Sequence, residues 1–212
     1  MVTARIAALS LLAALPAAAF DPFEIQVYDG TADRPGQAGL EIHLNRHSDA
    51  THLTFEPSFG ITDFWEVGGY LQTAQGRYEG LKLRSKLVTR EGTFAPGLRL
   101  GLNFEIAYEP GDQWGGEIRP IFAWENHRWL FAVNPNIGFP GPSFEPGVMA
   151  KVKAGPVALG LEYYGSFPDE HYLFEAIDLL AVDKLELNFG VGEGLTPSSR
   201  SVLVKMIVGY AF

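Results

Sequence analysis

The side chains able to do chemistry in this chain are charges set at every second position. Lys82, Arg84 and Lys86 form one such run, and Arg99, Glu105, Glu117 and Arg119 continue it through the next two segments. Later, Glu162, Glu175 and Glu186 are matched by Lys151, Lys153 and Lys205. In an extended chain, residues two apart share a face, so each run projects its charge to one side. Acids and bases mixed on one wall support two chemistries. They form cross-strand ion pairs that fill and stiffen a narrow enclosure, or they line a polar conduit whose field orients a small solute. Neither needs a cofactor, and none is expected.

Other chemistries find less support. The chain has no cysteine, which removes thiolate metal sites, thiol nucleophiles and disulfide scaffolds. Of its five histidines, His43 faces the charged side while His47 and His52 lie near a turn, and His127 and His171 sit in or beside turns. They show no helical i, i+4 pair and no carboxylate spacing of a closed site, so no metal centre is expected. Ser85 is the only serine within an apolar strand face, and no histidine on an adjoining strand is placed to act as its base. A Gly-x-Ser-x-Gly motif is absent. No residue is assigned a catalytic role, and the chain is read as a non-enzyme.

These charges must be positioned by strands. Leu98, Leu100, Leu102, Phe104, Ile106 and Tyr108 alternate with Arg99, Gly101, Asn103, Glu105 and Ala107, and Val202 to Phe212 alternates in the same way. Segments near 39–47, 50–60, 64–74, 79–89, 97–109, 113–125, 128–139, 143–154, 156–166, 170–180, 184–193 and 201–212 suit strands of about ten residues, the length that crosses a bilayer when tilted. Turn residues separate them, among them Pro110-Gly111-Asp112, Pro140-Gly141-Pro142 and Val182-Asp183-Lys184. A continuous apolar face opposed by a charged one is the reverse of a soluble sandwich. The expected fold is therefore all-β: one antiparallel outer-membrane barrel of about twelve strands, with short loops and both termini periplasmic. Trp65, Trp124, Trp129 and Tyr210 fall near one rim and Tyr108, Trp114, Tyr163 and Tyr172 near the other, as two aromatic girdles would.

Composition agrees. Only 19% of residues are charged while 13% are aromatic, and the net charge of −9 argues against a nucleic-acid partner, which would need a basic surface. Met1 to Ala19 carries one basic residue, Arg5, an apolar run from Ile6 to Leu15, Pro16 and a run of alanines, the pattern of a secretory signal cleaved near Ala19. Residues 20–38 form an N-terminal extension or a segment tucked into the lumen, and 39–212 the barrel. The terminal Tyr210-Ala211-Phe212 resembles the signal that barrel-assembly machinery reads on its clients. The expected partners are thus outer-membrane lipid, that machinery during biogenesis after export through the periplasm, and a small-molecule solute.

Phe55 to Gly68 runs as a strand, a Gly60-Ile61-Thr62-Asp63 turn and a returning Glu66-Val67-Gly68 strand. Together with Gly80 to Lys86, Trp114 to Pro120 and Val202 to Phe212, it resembles the outer-membrane barrels of the meta-pathway phenol-degradation group, which are labelled transporter-like. The resemblance implies a Gram-negative, porin-like transport barrel and carries over no functional residue. The expected function is a channel or transporter-like protein for a small solute. A filled structural barrel is the alternative, with a lipid-modifying barrel enzyme behind it.

Overall fold

The computed structural model describes residues 21–111, 113–180, 184–200 and 202–212. Twelve strands follow one another: β1 (Ala38–Arg46), β2 (Thr51–Thr62), β3 (Trp65–Ala74), β4 (Arg77–Val88), β5 (Leu98–Glu109), β6 (Gln113–Glu125), β7 (Trp129–Phe139), β8 (Ser143–Ala154), β9 (Val157–Ser166), β10 (Glu170–Leu179), β11 (Leu185–Gly194) and β12 (Val202–Ala211). Each pairs antiparallel with its sequence neighbours, and β1 also pairs with β12, from Gly39 opposite Ala211 to Arg46 opposite Val204. The barrel is closed and has no free edge, which is what allows an all-strand wall to sit in lipid. Phe212 donates its N–H to the Ala38 carbonyl at 2.8 Å and fastens the closing seam. The expected segments match the observed strands to within two residues at every end. The signal-sequence reading over 1–19 lies outside the described residues, as do Asp112, Val182 and Asp183 of the turns.

Period two places the strands' large apolar side chains outward. Leu71, Leu83, Phe104, Phe122, Leu161, Ile177, Phe189 and Met206 are all exposed, one belt around the wall. Such a surface is stable only against lipid. At the rim where β1 starts and β12 ends, here the terminal rim, Trp124 and Trp129 both stack on Phe131, at 6.0 and 5.8 Å between ring centroids. At the opposite rim Tyr108 packs against Trp114 at 5.0 Å. Tyr172 departs from the expected girdle: it is fully buried inside the barrel, because β10 turns Tyr172, Phe174 and Ala176 inward.

The β2–β3 ladder is interrupted between the pairs Phe55–Leu71 and Ser58–Gly68, where Pro57 has no N–H to donate. The barrel's interior is packed. Ile25 and Val27, which precede β1, join Ala123, Leu130, Ala132, Met149, Tyr164, Tyr172, Phe174 and Leu203 in one apolar cluster inside the wall.

Candidate functional site: the lumen and its threaded segment

Residues 21–37 run through the lumen from the opposite rim to the terminal rim. This segment belongs to no sheet, so its backbone groups must find partners elsewhere. Gly36 and Gln37 bond to the backbone of Gly60 on β2, at 2.8 and 2.9 Å, and the residues before them find the inward side chains of the wall. Asn45 Nδ2 donates to the Pro22 carbonyl at 3.0 Å and Thr54 Oγ1 to the Phe23 carbonyl at 3.0 Å. Lys205 Nζ donates to the Ile25 carbonyl at 3.1 Å. Asn134 takes the Tyr28 N–H on Oδ1 at 2.6 Å and returns a bond to the Tyr28 carbonyl at 3.1 Å. Arg99 Nε donates to the Asp29 carbonyl at 3.0 Å, and the Asp33 N–H donates to Glu66 at 2.6 Å.

Four charged networks surround the segment. In the first, Arg119 binds Glu24 at 2.6 Å and Glu117 at 2.8 Å, and its guanidinium lies 4.5 Å from the Tyr28 ring centroid. Lys82 meets Asp21 at 2.8 Å, Glu105 at 3.5 Å and Glu24 at 3.7 Å, while Tyr70 donates to Glu105 at 3.2 Å. In the second, Arg84 bridges Glu56 at 2.7 Å and Glu66 at 2.5 Å, and Lys86 meets Glu66 at 3.1 Å. In the third, Glu162 is shared by Lys151 and Lys205, and Lys151 also meets Asp178 at 2.7 Å. In the fourth, Glu125 holds Arg99 and Lys153. Removing one partner from such buried pairs costs far more than the pair contributes net, so each network favours one arrangement of the lumen.

The residues expected to line the lumen divide accordingly. Lys82, Arg84, Lys86, Arg99, Glu105, Glu117, Arg119, Glu162, Glu186 and Lys205 lie on inward positions of their strands. Glu175 does not: it is exposed on the outer wall, paired in register with Leu161 and Val191. Glu175 and Asp178 are three residues apart and must face opposite sides of a strand. Asp178 takes the inside, where Lys151 and Asn188 Nδ2 bind it, the latter at 2.6 Å. Arg99 is partnered by Glu125 and Asp29 rather than by Glu105, whose partners are Lys82, Arg119, Tyr70 and Asn103. Asp21, Glu24, Tyr28 and Asn134 went unpredicted. Their signal is long-range: Asp21 pairs with Lys82, Glu24 with Arg119 and Tyr28 with Asn134, which lie 61, 95 and 106 positions away.

The threaded segment divides the lumen in two. Toward the opposite rim a cavity of about 550 Å³ is lined by Asp21, Glu79, Glu105, Glu109, Glu117 and Glu145 against the one ammonium of Lys82. Among the described residues no cation reaches ion-pair distance of Glu79, Glu109 or Glu145. Toward the terminal rim a cavity of about 250 Å³ is lined by Asp33, Glu41, Lys184 and Glu186 among others. Carboxylates on low-dielectric walls draw cations and repel anions.

At the opposite rim Arg200 clasps the β1–β2 turn, meeting His47 Nδ1 at 2.8 Å and Asp49 at 2.7 Å. Burial and then the Arg200 charge push the His47 pKa down to about 4, so its imidazole is neutral near pH 7. On the outer wall Ser85 Oγ accepts a hydrogen bond from Trp65 Nε1 at 3.0 Å, an interfacial clasp with no base attached.

No protein-family model matches this chain, and no curated protein matches it. Solved structures do. A KdgM porin superposes with a TM-score of 0.64 at 12% identity over 82% of this chain and 99% of its own. The KdgM porin in complex with disordered oligogalacturonate gives 0.65 at 12% identity, over 82% of this chain and 99% of its own. The COG4313 outer membrane channel from Pseudomonas putida F1 gives 0.63 at 11% identity, over 89% of this chain and all of its own. At such identities the likeness is one of fold: a closed, twelve-stranded antiparallel barrel of the porin-like, outer-membrane kind.

Proposed function

We propose that this chain is an outer-membrane channel for small solutes, held closed by its own residues 21–37 and selective for cationic or neutral solutes at its mouth. The observation that carries the reading is the threaded segment itself. It lies between two lumen cavities and contributes to the lining of each, and it is held by reversible contacts, hydrogen bonds and ion pairs, to side chains of the wall. The apolar belt and two aromatic rims support placement in a bilayer, and a signal sequence over 1–19 would deliver the chain to the periplasm. On this reading the terminal rim is periplasmic, and the acidic mouth faces outward. An anionic ligand such as the oligogalacturonate seen with the KdgM porin suits that mouth poorly, since among the described residues three of its carboxylates have no cation at ion-pair distance. The resemblance to barrels of the meta-pathway phenol-degradation group favours a neutral aromatic or other small uncharged solute as readily as a cation.

Planar-bilayer recording tests this. The wild-type barrel is expected to conduct rarely. Deletion of Asp21 to Ala32, which leaves the Asp33–Glu66 bond in place, is expected to give steady conductance steps with cation preference. That preference should fall when Glu79, Glu109 and Glu145 become glutamine. A deletion variant that is folded and silent would instead identify a filled structural barrel, the reading that the dense ion pairing favours.

A further inference from the structure

We propose that Glu41, His43 and Glu56 form a binding site for a first-row divalent metal ion, Zn²⁺ being the ion to which the donor set is best suited, entered from the terminal rim. Strand register makes the site. Glu41 on β1 and Glu56 on β2 are direct cross-strand partners, and like charges placed opposite one another repel unless a cation lies between them. His43 is two residues from Glu41 and shares its face. Its Nε2 lies 2.9 Å from Glu56 Oε2 and 3.4 Å from Glu41 Oε2, and one ligand atom from each residue falls within 4.8 Å of the others. A tetrahedral ion with bonds of about 2.0–2.2 Å separates its ligand atoms by roughly 3.3–3.5 Å, so small side-chain shifts complete the geometry. Imidazole with carboxylates is a donor set for zinc and its first-row neighbours.

The surroundings are those of a ligand set held in place. Arg84 Nε binds Glu56 Oε1 at 2.7 Å, on the oxygen that His43 does not face. Gln26 Nε2 of the threaded segment donates to Glu41 at 3.0 Å. Outer contacts of this kind fix the orientation of metal ligands. A polar cavity of about 70 Å³, bounded by Gln26, Glu41, Glu56 and Glu186 and by Arg84 and Lys86, adjoins the group and is large enough for an ion's remaining water ligands. Access is through Glu41, which is 26% exposed and lines the cavity at the terminal rim together with Glu186. A Cβ at Gly209 would lie 3.1 Å from Glu41 Cγ and 3.2 Å from Glu186 Cβ, so glycine there lets both carboxylates converge. Glu186 has no cation within ion-pair distance among the described residues, and Glu41, Glu56, Glu66 and Glu186 outnumber Arg84 and Lys86.

Zinc titration of the full-length processed barrel in detergent, after chelator treatment and against a chromophoric competitor, tests the site. The wild type is expected to take up one more zinc ion than His43→Asn, with an X-ray absorption edge fitted by one nitrogen and at least two oxygen ligands. Glu41→Gln is expected to weaken that binding tenfold or more. Glu41 is partly exposed, so this variant keeps the test open if His43→Asn fails to fold. Equal zinc uptake and affinity in wild type and Glu41→Gln would overturn the proposal and leave a protonated His43 as the cation between the two glutamates. The readout is binding alone, so it stands or falls separately from conductance.

Discussion

Replacing Glu24 by glutamine weakens the threaded segment's hold while leaving the wall's own charges balanced. Glu24 Oε1 accepts from Arg119 at 2.6 Å and from Tyr28 at 3.1 Å, the Tyr70 hydroxyl lies 3.3 Å from it, and its second oxygen faces Lys82 at 3.7 Å. After the substitution Arg119 keeps Glu117, and Lys82 keeps Asp21 and Glu105. A hydrogen bond to a charged group contributes about 1.5–3 kcal/mol and a neutral one about half as much, so the Arg119 contact loses on the order of 1 kcal/mol. Turning an amide toward the Lys82 ammonium removes roughly another 1 kcal/mol. A total of about 2 kcal/mol corresponds to about thirtyfold in the ratio of displaced to seated segment. Single-channel recording in planar bilayers reads that ratio as open probability. The control is Asp178→Asn, which disturbs the Lys151 pair on the wall without touching residues 21–37. Its expected effect is on urea stability alone. Unchanged open probability in Glu24→Gln, with the Asp21–Ala32 deletion conducting, would refute the assignment of this network as the latch.

Three further outcomes are expected. Lys205→Gln leaves Glu162 with Lys151 as its one remaining cation and strips the Ile25 carbonyl of its donor; a loss of about 3–5 kcal/mol is expected, read as an earlier urea midpoint. His47 is neutral in the folded barrel down to about pH 4, whereas an unfolded histidine takes a proton near 6.5, so its contribution is fully present above pH 6.5 and is lost as pH falls toward 4. His47→Asn should flatten the acid-side slope of stability in that window and leave the pH dependence near pH 8 unchanged; an unchanged slope between pH 6.5 and 4 counts against the Arg200 clasp. Deleting Phe212 removes the bond to Ala38 and the exposed terminal aromatic, and is expected to lower the amount of assembled, heat-modifiable barrel in the outer membrane. Normal levels of the truncated barrel would contradict that role.

The wall was legible in sequence because lipid imposes period two on every strand, and a slip of one residue would turn a whole apolar row inward. Where that constraint loosens, the reading failed. On β10, Glu175 and Asp178 have opposite parity, so a rule that sends acids inward cannot satisfy both. Only the positions of Lys151 and Asn188 decide for Asp178. Tyr172 followed the same shift. Residues 21–37 have no ladder partner and therefore no period, and their anchors, Asn134 and Lys205, lie 106 and 180 positions from Tyr28 and Ile25. The Glu41–His43–Glu56 group needed the β1–β2 register: the spacing of Glu41 and His43 was visible, but Glu56 joins them only once Glu41 is known to face it.

Opening requires movement of residues 21–37 relative to the wall, and the absence of native cysteine allows that movement to be locked cleanly. A Cβ at Gly147 on β8 would lie 3.2 Å from Val27 Cγ2, within the reach of a disulfide. Single-channel conductance of Val27→Cys/Gly147→Cys in the Glu24→Gln background should therefore be frequent under reducing conditions, near zero after oxidation, and restored by reductant. Equal conductance in the oxidised and reduced barrels, with the disulfide confirmed by mass, would contradict the claim that this segment closes the channel.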